Sequence, residues 1–263
     1  MVKSSPSPLF MNAEKCAISL ILPAYNEAAV IATTLSEAME YFRRRAWTYQ
    51  IIVAADGDDG TRERARELAA GDPSIQVIGE PSRRGKGRGI REAVALSAGD
   101  IIGFADADNK VPVTEFDKLE PWLGRGYDVV IGSRGLRESS VERRQPWYRR
   151  AGAWGFYYFM HLVVGMPGIE DTQCGFKFFP RPVAKDLFAR QRIDGYMFDV
   201  EILALAQRLG YRIKEVPIRW RDDADSRLDL ISGNLRNVID LFRIRGACAR
   251  AARALHPMPT ECE

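Results

Sequence analysis

Hydrophobic positions along the first half of the chain fall into short runs, each closed by a polar loop. Residues 16–22 become fully apolar at Leu20-Ile21-Leu22, and Pro23 is expected to stop the strand they form. Residues 49–54, 75–78 and 101–105 repeat the pattern. Between them, 28–45, 61–70 and 90–98 read as helices, with Thr61 placed to cap the second. Strands without polar alternation, separated by helices, predict a mostly parallel sheet covered on both faces.

The second half is less regular. A helix over 114–124 leads to a strand at 128–131. A long basic and aromatic segment, 135–165, follows. After the stretch 171–179 come helices near 181–190 and over 198–207, the latter ended by Gly210. Residues 213–220 alternate like a half-exposed strand, with Pro217 marking an edge. Residues 228–254 carry leucines and isoleucines on one side and arginines on the other. No internal repeat or linker interrupts the chain. The organisation expected is a flexible tail over 1–15, one α/β domain over 16–227, and an amphipathic helix and tail over 228–263.

Composition narrows the function classes. Hydrophobic residues at 46% and charged residues at 28% exclude general disorder, and a net charge of +3 argues against nucleic acid as a partner. Arginines nevertheless cluster at 43–45, 83–91, 134–150 and 243–253, which suits phosphate groups or an anionic membrane surface; each cluster alone also fits a solvated helix face. Four dispersed cysteines and two histidines leave no zinc or disulfide framework. The polar, Pro/Ser-rich N-terminus lacks a signal-peptide core, so a cytoplasmic, reduced protein is expected. The longest apolar stretch, 151–167, is shorter than the roughly 20 residues that span a bilayer, and reads as a buried or interfacial helix.

The chemistry concentrates at Ile101-Ile102-Gly103-Phe104-Ala105-Asp106-Ala107-Asp108-Asn109. A buried strand ends in two carboxylates, at the carboxyl end where open α/β sheets bind ligands. Such a pair can hold Mg²⁺ or Mn²⁺, and through it phosphates; it can equally cap the following helix. Glycines 85, 87 and 89 follow the third strand with the wrong spacing for a dinucleotide fingerprint, which excludes a dehydrogenase.

Pro23-Ala24-Tyr25-Asn26-Glu27, Asp56-Gly57, Gly85-Lys86-Gly87 and Asp106-Ala107-Asp108, in this order, resemble the family 2 glycosyltransferases of the GT-A fold, over residues 16–245. Within that family, Gly132-Ser133-Arg134, the stretch Asp171-Thr172-Gln173-Cys174-Gly175-Phe176-Lys177, and Trp220 with Ser226-Arg227 are most similar to the dolichyl- or polyprenyl-phosphate β-glucosyltransferases, then the mannosyltransferases. The resemblance implies a single GT-A domain and inverting transfer from a UDP- or GDP-linked sugar, UDP-glucose first, to a polyprenyl phosphate. It implies that Pro23, Tyr25, Asn26, Glu27 and Asp56 line the nucleotide. Lys86 approaches the diphosphate, and the loop glycines admit close backbone approach. Asp106 and Asp108 hold the metal. Two departures stand out. The loop at Asp56 is one residue shorter than the usual pattern, and Lys110 occupies a position where some relatives carry another polar ligand.

The acceptor is the open question. A hydroxyl acceptor needs a base, and Asp199 sits where such family members carry one; helix capping is the alternative for Asp199 and Glu201. A lipid monophosphate arrives ionised and needs cations, which Arg134, Arg149, Lys177 and Arg227, with Gln173 beside them, can supply. The lipid reading places the protein at the cytoplasmic face of a membrane through peripheral contact. A soluble hydroxyl acceptor, or a non-enzymatic nucleotide-binding protein, are the alternatives.

Overall fold

The apolar runs become neighbouring strands. In this computed structural model, which describes residues 16–141, 147–221 and 232–255, β1 (Ile18–Tyr25), α1 (Ile31–Arg44), β2 (Tyr49–Asp56), α2 (Thr61–Ala69), β3 (Ile75–Ile78), α3 (Lys86–Leu96) and β4 (Ile101–Ala105) alternate in chain order. The strands lie parallel in the order β3-β2-β1-β4. This order reverses between β1 and β4, so the carboxyl ends of both open onto one crevice.

α4 (Phe116–Leu123) and β5 (Val129–Ser133) follow, then β6 (Ser140–Val141), α5 (Trp147–Val164) and β7 (Phe176–Pro180). The unexpected element is β7. It inserts antiparallel between β4 and β5, pairing Phe104 with Lys177 and Val130 with Phe178. α6 (Arg181–Arg190), α7 (Phe198–Arg208), β8 (Ile213–Pro217), β9 (Arg219–Trp220) and α8 (Ser232–Leu255) complete the described chain. β8 pairs parallel with β5 at the sheet margin, as Pro217 suggested, while β9 leaves it to pair with β6. The single strand expected over 213–220 is therefore two.

Period-two alternation sends each strand's side chains to two cores. Ile21, Ile52, Phe104 and Phe179 pack with α3, α6, α7, Met160 of α5 and Leu241, Ile244 and Cys248 of α8. Leu20, Leu22, Ile51, Val53, Phe176 and Phe178 pack with α1 and α4. Among the described residues no helix is long and apolar enough to cross a membrane.

Local expectations shift at three places. Pro23 does not end β1, which pairs with β2 through Tyr25. Within β1, β4 pairs only with Ile18–Ile21, so beyond Ile21 β1 has one bonded neighbour, a setting that tolerates proline. Thr61 is the first residue of α2 rather than its cap; Asp59 accepts its N–H at 3.0 Å. α3 begins at Lys86 instead of residue 90, because Gly85, at φ 112°, turns the chain into the helix. The tail over 1–15 lies outside the described residues.

Gly103 faces Phe178 across β4 and β7, and a Cβ there would meet the ring at 2.1 Å. Gly103→Ala should therefore cost about 1–3 kcal/mol by overpacking, measured by urea unfolding. A loss below about 0.5 kcal/mol would show that β7 does not press on this site.

Candidate active site

The crevice is built by loops that hydrogen-bond one another. After β1, the Glu27 N–H donates to Thr61 Oγ1 at 2.9 Å and the Ala28 N–H to Asp59 at 3.0 Å. Arg62, which nothing in the sequence singled out, is buried and donates to the carbonyls of Ala55, Gly57 and Glu80. Asp56, expected at a nucleobase, accepts the N–H groups of Glu80 at 3.3 Å and Arg84 at 2.7 Å. It thus fixes the loop between β3 and α3. Tyr25 is exposed, and Asn26, in the left-handed region at φ 57°, turns the chain after it. Glu27 lies just before α1, whose first turn holds no acidic residue.

Gly85 and Gly87 do permit close approach, but of the protein's own chain. A Cβ on Gly85 would lie 2.3 Å from the Asp194 carbonyl oxygen, and one on Gly87 2.5 Å from that of Ile193. This contact seats the start of α3 on the loop before α7. There Lys86 Nζ meets Asp106 Oδ1 at 2.6 Å. Burial alone would lower the Lys86 pKa, yet Asp106, then Asp199, holds it well above the ordinary lysine value.

The Asp106–Asp108 turn is pinned from several sides. The Asp106 N–H donates to the Gly175 carbonyl at 3.0 Å, Thr34 Oγ1 to that of Ala107 at 2.8 Å, and Asn109 Nδ2 to Glu37 at 2.9 Å. Ala107 is buried, while Asp106 and Asp108 remain 36% and 31% exposed. The Asp106 carboxylate lies on Gly175, where any Cβ would meet it at 2.1 Å. Asp108 accepts the Lys110 N–H, with Lys110 Nζ at 3.4 Å. Burial, then the neighbouring Asp106 charge, pushes its carboxyl above the usual range. Neither aspartate caps α4, which begins at Phe116. No cluster of three or more His, Cys, Asp or Glu side chains suited to a metal occurs among the described residues. Two mutually repelling oxygen donors still fit a hard divalent cation that completes its shell with phosphate and water.

The residues expected at the acceptor are organised by two further ion pairs. Lys177, expected at an acceptor phosphate, has no exposed surface; it donates to Asp199 at 2.5 Å and to the Cys174 carbonyl at 2.6 Å. Alternation along β7 explains this, because Lys177 shares the face of Phe179, toward α7. Asp199 is 3% exposed; burial raises its carboxyl's pKa against the opposing pull of Lys177 and Lys86. It does not cap α7, and nor does Glu201, which accepts the N–H groups of Arg192 and Ile193. Arg134 grips Asp171 through Nε at 2.7 Å and Nη2 at 2.9 Å, and lies over the Trp220 ring at 5.5 Å. Lys110 reaches the same ring from the Asp108 side, at 5.9 Å. Gln173 is exposed nearby in sequence. Arg149 lies in α5, where its side chain is outside the described set, as is Arg227 altogether.

Two measurements test these pairs. Lys177→Met leaves Asp199 buried without its ammonium, and should cost about 3–5 kcal/mol in urea unfolding; Lys177→Met with Asp199→Leu should restore much of that loss. A double variant no more stable than the single one would count against the pair. Asp171 behaves differently. Burial raises its carboxyl, but Arg134 outweighs that and holds it below the usual range. A depressed folded pKa contributes stability above the unfolded value of about 4, lost as pH falls through the folded value. Asp171→Asn should therefore be less stable than the parent at pH 7, with the gap narrowing as pH falls below 4. A gap independent of pH would contradict this.

Residues 19–188 match the family model described as glycosyl transferase family 2. A dolichyl-phosphate beta-glucosyltransferase of Trichomonas vaginalis is 33% identical over 250 residues, 91% of this chain and 74% of that protein. The dolichyl-phosphate beta-glucosyltransferase of Homo sapiens is 31% identical, over 87% of this chain and 74% of its own. Among solved structures, glucosyl-3-phosphoglycerate synthase of Mycobacterium tuberculosis, crystallised with Mn²⁺, UDP and glucosyl-3-phosphoglycerate, superposes with a TM-score of 0.64 at 23% identity, covering 90% of this chain and 81% of that one. Mannosyl-3-phosphoglycerate synthase of Rubrobacter xylanophilus gives 0.65 at 18%, covering 94% and 77%. The fold is the GT-A fold of these enzymes, and the chain is a glycosyltransferase that belongs to family 2.

Proposed function

We propose that the protein transfers a sugar, with inversion, from a nucleotide-sugar to a polyprenyl or dolichyl phosphate. UDP-glucose is the first donor to test, and Mg²⁺ or Mn²⁺ the cofactor. The observation that carries the acceptor is the state of the acceptor-side carboxylates. Asp199 is buried against Lys177, and Asp171 is held by Arg134. In this reading neither is called on as a base for a hydroxyl. A phosphate monoester needs none, since its second pKa is about 6 and its oxygen is already ionised at neutral pH.

In this reading that oxygen attacks the anomeric carbon from the face opposite the leaving group. The new C–O bond forms as the bond to the nucleoside diphosphate breaks, and configuration inverts. Asp106 and Asp108 would hold the cation, which supplies charge stabilisation for the leaving diphosphate. Lys86, paired with Asp106, stands beside that position as a second positive charge. Tyr25, with Pro23, Asn26 and Glu27, lines the nucleotide, while Asp56 acts by holding the 80–84 loop. Arg134, over Trp220, is the described cation nearest a phosphate role, with Gln173, Arg149 and Arg227 completing the proposed acceptor set.

The lipid acceptor has separate support. Tyr158, Phe159 and Leu162 stand exposed on α5, with Leu162 at 81%, and Ile239 and Phe242 on α8. Arg236, Arg243 and Arg245 are exposed on that same helix. Apolar ridges edged by arginine suit peripheral contact with an anionic membrane. The dolichyl-phosphate beta-glucosyltransferases to which the chain is similar support the same acceptor class.

A two-phase assay with polyprenyl phosphate, Mn²⁺ and UDP-glucose, UDP-GlcNAc or GDP-mannose should carry sugar into the organic phase. No transfer from any donor, or transfer only to a soluble acceptor, would overturn the lipid reading. Asp106→Asn and Asp108→Asn should each lower kcat/KM about 100-fold or more.

A further inference from the structure

Three side chains, one from the end of β1 and two from separate loops, meet on the rim of the nucleotide end of the sheet. Tyr25 closes β1 and is 40% exposed; Tyr196 lies just before α7 and is 45% exposed. Arg83, from the loop between β3 and α3, stands between them. Its guanidinium carbon lies 4.4 Å from the Tyr25 ring centroid and 5.6 Å from that of Tyr196, and its Nη2 donates to the Tyr196 hydroxyl at 2.8 Å. Both sides of this bridge are anchored. Asp56 holds the Arg84 N–H at 2.7 Å, and the Arg88 N–H donates to the Asp194 carbonyl at 3.2 Å. Three residues beyond Arg83, Lys86 is paired with Asp106. A nucleotide whose base meets Tyr25 and whose phosphates reach Asp106 must pass beside Arg83.

We propose that Arg83 is a donor-binding residue and that Tyr196 parks it. The guanidinium covers the face of Tyr25 on which a base would stack. When a base takes that face, the arginine passes to the diphosphate, whose oxygens suit its planar fork. The site then favours nucleoside diphosphates over bare nucleosides for a defined reason: both displace Arg83 from Tyr25, and only the diphosphate gives it a new partner. This rests on the donor site proposed above.

The test is titration calorimetry of the full chain with Mn²⁺, using uridine, UDP, guanosine and GDP, with weak nucleosides read by competition against the diphosphate. Arg83→Ala should weaken the preferred diphosphate about tenfold, through the lost charge-assisted contacts, and tighten its nucleoside about two- to fivefold, because Tyr25 is uncovered. Tyr196→Phe keeps the ring, removes the parking hydroxyl, and should tighten the diphosphate about twofold. A merely structural role for Arg83 would move nucleoside and diphosphate together. Shifts in the same direction, or no shift in either, overturn the proposal. Tyr25→Ala separates the two readings. If it abolishes nucleoside binding while Arg83→Ala changes nothing, only the role of Arg83 falls. If it leaves every ligand unaffected, or if the unmodified chain binds none of the four, the donor site falls with it.

Discussion

The seating of β7 between β4 and β5 is the constraint on which the rest of the site depends. Its antiparallel pairing brings the Gly175 carbonyl to the Asp106 N–H and lays the Asp106 carboxylate on a residue without a side chain. The same alternation turns Phe178 into one core and Lys177 into the other, where the ammonium meets Asp199. One strand therefore positions the Asp106–Asp108 turn, closes the sheet between its two halves and neutralises a buried carboxylate. Because these tasks share one register, a one-residue slip of β7 would undo all of them together.

Charge in this molecule is arranged in pairs that keep a strongly polar crevice tolerable in a partly buried setting. Lys86 faces Asp106, Lys110 faces Asp108, Lys177 faces Asp199, and Arg134 faces Asp171. The pairs differ in depth, and depth decides their role. The first two remain partly exposed, so solvent and salt reach them. The Lys177–Asp199 pair is sealed, and breaking it would leave an uncompensated buried charge. That difference separates partly exposed pairs from a sealed one, although all eight residues are of the same two charge types.

Much of the crevice at the ends of β1 and β4 was legible in the sequence. The strands at 75–78 and 101–105 needed no correction, because fully apolar runs bounded by turn residues leave few alternatives. The stretch 171–179 was legible as a motif but not as a strand; its small and polar start hides a period that only Phe176, Phe178 and Phe179 reveal. Lys177 looked like a phosphate ligand because a lysine in a motif carries no sign of whether it points to solvent. Arg62 gave no signal at all, since its value lies in three carbonyls brought together from β2, the loop after it and the loop after β3.

By itself, the sequence determined the strand–helix alternation, the position of Asp106 and Asp108 at the end of a buried strand, and the concentration of arginine beyond residue 134. These follow from local patterns of apolar and charged residues, which act over a few positions. Only the tertiary structure decided which charges are sealed and which are open. Partners such as Lys177 and Asp199, or Arg134 and Asp171, stand 22 and 37 residues apart in the chain. Their meeting depends on the order of strands in the sheet, and burial, which shifts a carboxylate's pKa, is a property of that packing.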